Sequence, residues 1–146
     1  MPEKNIESDL GIKAEISFVI ANLVNLEEHL SMTIAETGNE NYFIVLDEIR
    51  KLRAEHMKEF IGDKKLSGQE WCIIKHILAT AYRLSEVATK NIALERMNEA
   101  LKNLKDSKDF FELSFAILQM DGKNGDDEQP KEENQGHWFS KSEGFY

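Results

Sequence analysis

Apolar residues recur every three or four positions over four long stretches, with polar breaks between them. The clearest stretch follows Leu66-Ser67-Gly68-Gln69-Glu70-Trp71. Ser67, with Glu70 three residues on, has capping-box spacing: the hydroxyl takes the Glu70 amide, and the Glu70 carboxylate reaches back to the Ser67 amide. Leu66 before the cap and Trp71 four residues after it are spaced as a hydrophobic staple, which fixes the entry angle of the chain. Ile74, Ile77, Leu78, Ala81, Leu84, Ala88 and Ile92 continue the helical pattern without a Gly or Pro. This is the expected central helix.

Three further helices flank it. Ser8 is the expected cap of the first, whose stripe is Ile12, Ile16, Val19, Ile20, Leu23, Leu26, Leu30 and Ile34. Its centre, from Ile16 through Phe18 to Val24, is apolar on nearly every side, so neighbours cover both flanks or a second copy meets it. Gly38-Asn39 reads as its left-handed end. The second helix spans about 40 to 61, with Tyr42, Leu46, Ile49, Leu52 or Arg53, His56 and Phe60 inward, and Gly62-Asp63 closes it. The third ends at Asn98, a residue type that accepts a left-handed cap. The fourth runs from about Glu99 to Met120, with Leu101, Leu104, Phe111, Phe115 and Leu118 inward. A competing break lies at 105–109, where Asp106 or Ser107 caps a shorter last helix. Four helices of similar length each bury a whole stripe, which favours the first option.

The fold class is therefore all-α: an up-down-up-down four-helix bundle over residues 8–120, after a frayed 1–7 and before an acidic tail at 121–146 that is expected to be disordered, with an aromatic tip. Composition agrees. Neither Gly nor Pro occurs between Gly68 and Gly122, where a sheet would need turn residues. No apolar run approaches the roughly 18 residues of a membrane span, and the polar N-terminus does not resemble a signal peptide. One cysteine, Cys72, excludes an internal disulfide framework. A cytoplasmic location is the expectation.

Net charge is −9, which disfavours nucleic acid and anionic membranes unless a basic patch is segregated. The last 26 residues hold seven acids against three lysines, −4, leaving −5 for the first 120. A local basic face remains open in the body.

The chemistry-bearing residues are few. Ferritin-like carboxylate sites need Glu-x-x-His on two helices. Here Leu26, Arg53 and Ile73 stand three before His29, His56 and His76. Cys72 and His76 share a helix face and could supply half a zinc site, completed by His29 or His56; a small buried thiol is the plainer reading. His76, Arg83 and Lys90 form a row at seven-residue spacing, read as a solvated basic edge. Glu15, Asn22 and His29 form another, read as the rim of a buried face. Arg50 to His56, with five residues between, resembles the Arg-x(4–6)-His motif of the HEPN-type ribonucleases, which are also helical bundles. That resemblance implies RNA cleavage by these two residues. The plainer alternative puts His56 at the core edge and Arg50 in solvent.

The tail carries a compositional reversal. After the charged 121–135 come Trp138, Phe139, Phe145 and Tyr146, the residue types that anchor interfaces. The sequence thus points to a non-enzymatic adaptor or assembly protein, a homodimer, contacting proteins through helix one (Phe18 included) and the tail aromatics, with no cofactor. The alternative is a small zinc- or iron-binding protein, or a HEPN-like ribonuclease, using the bundle histidines.

Overall fold

The computed structural model describes the backbone of residues 2–120 and side chains from residue 9 onward. It is all-helical there: α1 Pro2–Thr37, α2 Tyr42–Ile61, α3 Gly68–Ala93 and α4 Met97–Gln119. No strand occurs among the described residues. The tail aromatics Trp138, Phe139, Phe145 and Tyr146 lie outside them.

Helix ends follow local chemistry. α1 begins at Pro2, so Ser8 lies inside the helix rather than capping it. Nothing between Pro2 and Gly11 breaks a helix, and Pro is favoured at the first position. Gly38 ends α1 at φ 65°, its amide donating to the Ile34 carbonyl. At α3, Ser67 Oγ accepts from the Glu70 amide at 3.2 Å. The return half differs from the expected box: Ser67 Oγ also donates to Glu70 Oε1 at 3.1 Å.

The break between α3 and α4 falls at 94–96, not at Asn98, which is helical. Glu95 takes the left-handed conformation, φ 58°. The Arg96 amide donates to the Asn91 carbonyl at 2.8 Å and the Glu95 amide to that of Ile92 at 3.0 Å. These two bonds make a Schellman motif. The Asn91 side chain then donates to Asn103 Oδ1 at 2.8 Å, pinning the two helices together just past the turn.

Packing departs from a simple cyclic order. α1 packs along α2 and along α3, and α3 along α4, but the backbones of α2 and α3 do not pack along each other. α1 and α2 are antiparallel, since Lys13 approaches Gly62 while Glu27 meets Arg53. α3 and α4 approach closely because small residues face each other: Ala81, Ala88, Ala100, Ser107 and Ser114 are all buried. Ser107 Oγ donates to the Ala81 carbonyl at 2.6 Å. This choice of face turns Leu101 and Leu104 outward, 52% and 45% exposed, contrary to the pattern-based expectation.

The main core sits toward one end. Ile20, Met57, Phe60, Trp71, Ile74, Leu78 and Leu118 meet there, with Leu66 closing the staple on Trp71. Phe60 and Phe115 stack edge-to-face at 5.2 Å, tying α2 to α4.

Candidate functional site

Because α2 and α3 lean on α1 without closing on each other, a groove of about 660 Å³ opens between the three helices. That volume is typical of small-molecule sites. Val24 and Met32 from α1, Leu46 from α2 and Leu84 from α3 give it apolar walls. Its charged lining has more cations than anions. Three of the chain's four arginines, Arg50, Arg53 and Arg83, line it together with Lys75 and His76, against Glu27 and Glu28.

Two of these cations are deeply buried. Arg53 is 2% exposed and Lys75 4%. A buried charge is tolerated only when paired and hydrogen-bonded. Arg53 meets that condition through Glu27: Nε donates to both carboxylate oxygens, at 3.1 and 3.3 Å, and Nη2 donates to Oε1 at 3.1 Å. At the mouth, Arg83 bridges Glu28 at 2.8 Å and Glu86 at 3.0 Å, both solvated pairs.

Burial pushes the Lys75 ammonium down to about 8, helped by the positive charge of Arg53 and Arg50 and opposed by Cys72 and Glu27. Burial and the Lys75 charge likewise lower His76 below its ordinary value. The groove therefore has a positive interior inside an acidic chain.

No family model, curated protein or solved structure matches this chain.

The groove gathers some of the sequence-derived candidates and scatters the rest. His76 and Arg83 border it, so their row runs along the groove's rim; Lys90, further along, is exposed. Arg50 lines it, but His56 does not. His56 Nδ1 instead lies 3.2 Å from Glu59 Oε2. Six positions of α-helix place Arg50 and His56 about 120° apart around α2. His29 is exposed, with Glu15 and Asn22, and Cys72 is half-buried. Among the described residues no three of His, Cys, Asp and Glu converge as metal ligands. Phe18 is 44% exposed and stacks edge-to-face on Phe111 at 4.5 Å.

Pattern reading missed Glu27, Arg53 as a buried ion-pair partner, and Lys75. Arg50 and Arg53 one turn apart, in a chain otherwise rich in lysine, are the signal that pointed there.

Proposed function

We propose that this chain is a non-enzymatic assembly module that pairs with a second copy through α1. The observation that supports it is how the long α1 stripe divides. Ser17, Ile20 and Ala21 are buried in the fold. Ile12, Val19 and Leu26, at seven-residue spacing, remain 56%, 37% and 39% exposed, and Leu23 and Leu30 beside them are half-buried. Val19, Leu23, Leu26 and Leu30 alternate by four and three, the spacing of a coiled-coil seam. A single chain leaves that seam partly wet; a second copy of the same helix dries it. An exposed run of branched side chains on one helix face is a recognised mark of an interface.

The α2 entrance adds a second apolar surface. Tyr42, Phe43, Ile44 and Val45 are consecutive and exposed at 38%, 53%, 73% and 43%. Together with the aromatic residues of the tail, it suits contact with a different protein.

Size-exclusion chromatography with light scattering tests the pairing. The expected result is twice the 16.8 kDa chain mass, reverting to one chain mass in Val19→Glu/Leu26→Glu with helicity retained. A strict monomer at high micromolar concentration rules the pairing out. Deleting residues 136–146 is expected to leave helicity intact and abolish partner pull-down; unchanged pull-down removes the tail from the proposal.

A further inference from the structure

We propose that Trp138 and Phe139 of the tail dock into the apolar groove between α1 and α4. The small-residue contact draws α4 onto α3 and leaves the backbones of α1 and α4 little in contact. Phe18 meets Phe111 edge-to-face across the gap at 4.5 Å. Around that contact an opening of about 290 Å³ remains, walled by Ala14 and Phe18 from α1 and by Leu104, Phe111 and Phe115 from α4. Three observations select its occupant. The first is size. About 290 Å³ sits at the bottom of the range for small-molecule clefts and suits inserted side chains. The second is chemistry. Phe18 and Leu104 stay half-exposed, and the rings of Phe18, Phe111 and Phe115 accept a further ring edge-on or offset. On the rim Lys108 and Glu112 pair with each other at 3.5 Å, so apolar contact rather than charge decides what seats there.

The third is reach. Phe115 lies five residues, and Leu104 sixteen, before Met120, which puts the groove about 8 to 24 Å from the point where the tail leaves α4. Seventeen residues, 121–137, join Met120 to Trp138. A chain of that length spans about 60 Å at full extension and about 20 to 25 Å as a coil. The span matches the distance, the condition under which a tether gives its highest effective concentration, on the order of millimolar. The docking goes beyond the pairing of α1 and uses another face of it: Ala14 and Ser17 lie about 120° or more around α1 from Val19 and Leu26. An outside partner then takes the tail aromatics in competition with the chain's own groove.

Acrylamide quenching of tryptophan emission in the full chain tests the docking, with Trp138→Phe as the baseline for Trp71 alone. Trp71 is buried and stays shielded throughout. Trp138 is expected to be quenched at least about threefold less readily than N-acetyltryptophanamide. Leu104→Glu and Phe18→Ser, on facing walls, are each expected to return Trp138 to the free value with the helical circular-dichroism signal unchanged. Both residues are half-exposed, and either variant is informative if the other misfolds. Val19→Glu/Leu26→Glu is expected to keep the protection, which separates this contact from the α1 pairing. Free quenching of Trp138 in the parent chain, or protection that survives both groove substitutions, overturns the docking. Protection that fades on dilution or in Val19→Glu/Leu26→Glu makes the occupant a second copy's tail and overturns it as well.

Discussion

The Arg53 guanidinium and the Glu27 carboxylate form a buried fork across α1 and α2, with three N–H···O contacts between 3.1 and 3.3 Å. Twenty-six residues separate them in sequence. The pair holds α2 against α1 and forms part of the groove wall. Its net worth and the cost of breaking it are different quantities, because a lone buried charge keeps its full desolvation penalty.

Removing one partner of the fork should therefore hurt more than removing both. Glu27→Leu is expected to cost about 3 to 5 kcal/mol in urea unfolding, by stranding the Arg53 charge. Glu27→Leu/Arg53→Met should recover most of that loss. A double variant as unstable as the single one would show that the pair is stabilising in its own right.

Lys75 makes stability depend on alkaline pH. Its folded-state value near 8 lies below the ordinary 10.5 because burial penalises the charged form. Between those two values the unfolded chain binds more protons than the folded one, so stability rises with pH across that window. Below about pH 8 the full penalty is present. Lys75→Met is thus expected to stabilise the protein by about 1 to 3 kcal/mol near neutral pH. That advantage should shrink from pH 8 to 10.5. A constant difference between variant and parent across this range would place the ammonium in water.

Trp71 is 7% exposed, and its indole Nε1 is buried without a hydrogen-bond acceptor among the described residues. The ring contributes by packing, while the N–H is a cost. Trp71→Ala should lose about 3 to 5 kcal/mol by opening a cavity under the staple. Trp71→Phe keeps most of the apolar contact and removes the unsatisfied donor, so its loss should stay below about 1.5 kcal/mol. Equal losses for the two variants would mean that the indole N–H does have an acceptor.

Glu95 occupies a left-handed position that glycine adopts without steric cost. Glu95→Gly should raise stability by up to about 1 kcal/mol, read as a higher thermal midpoint. A lower midpoint would show that Glu95 contributes a contact outweighing its backbone strain.

Much of this architecture was legible locally. The four helices, the α3 stripe from Ile74 to Ala88, the glycine stops at Gly38 and Gly62, and the Ser67 cap all depend on neighbours within a turn or two, whereas Ile12, Tyr42 and Ile92 of the expected stripes are exposed. What escaped depends on pairs distant in sequence. The α2 pattern offers Leu52 or Arg53 as inward, but Arg53's pairing with Glu27 comes from another helix, and nothing among Lys75's sequence neighbours marks it as buried. The turn at Glu95 escaped because its hydrogen bonds, not its residue type, define it. α4 offers leucines on one side and small residues on another. Close contact with α3 selects the small side, a choice invisible in α4 alone. The groove exists because α2 and α3 both lie along α1 while their backbones approach each other little, a property of assembly rather than of any one helix.

The off-centre position of the core has a consequence for motion. Phe60, Ile74 and Leu78 are fully enclosed by several helices, whereas the α2 entrance near Ile44 and the Glu95 turn belong to single hairpins with wet side chains. Local opening should be graded along the molecule. Amide hydrogen exchange is expected to be slowest around 57–61 and 74–78, and orders of magnitude faster at 42–45 and 92–97. The hairpin tips can then breathe while the opposite end stays shut.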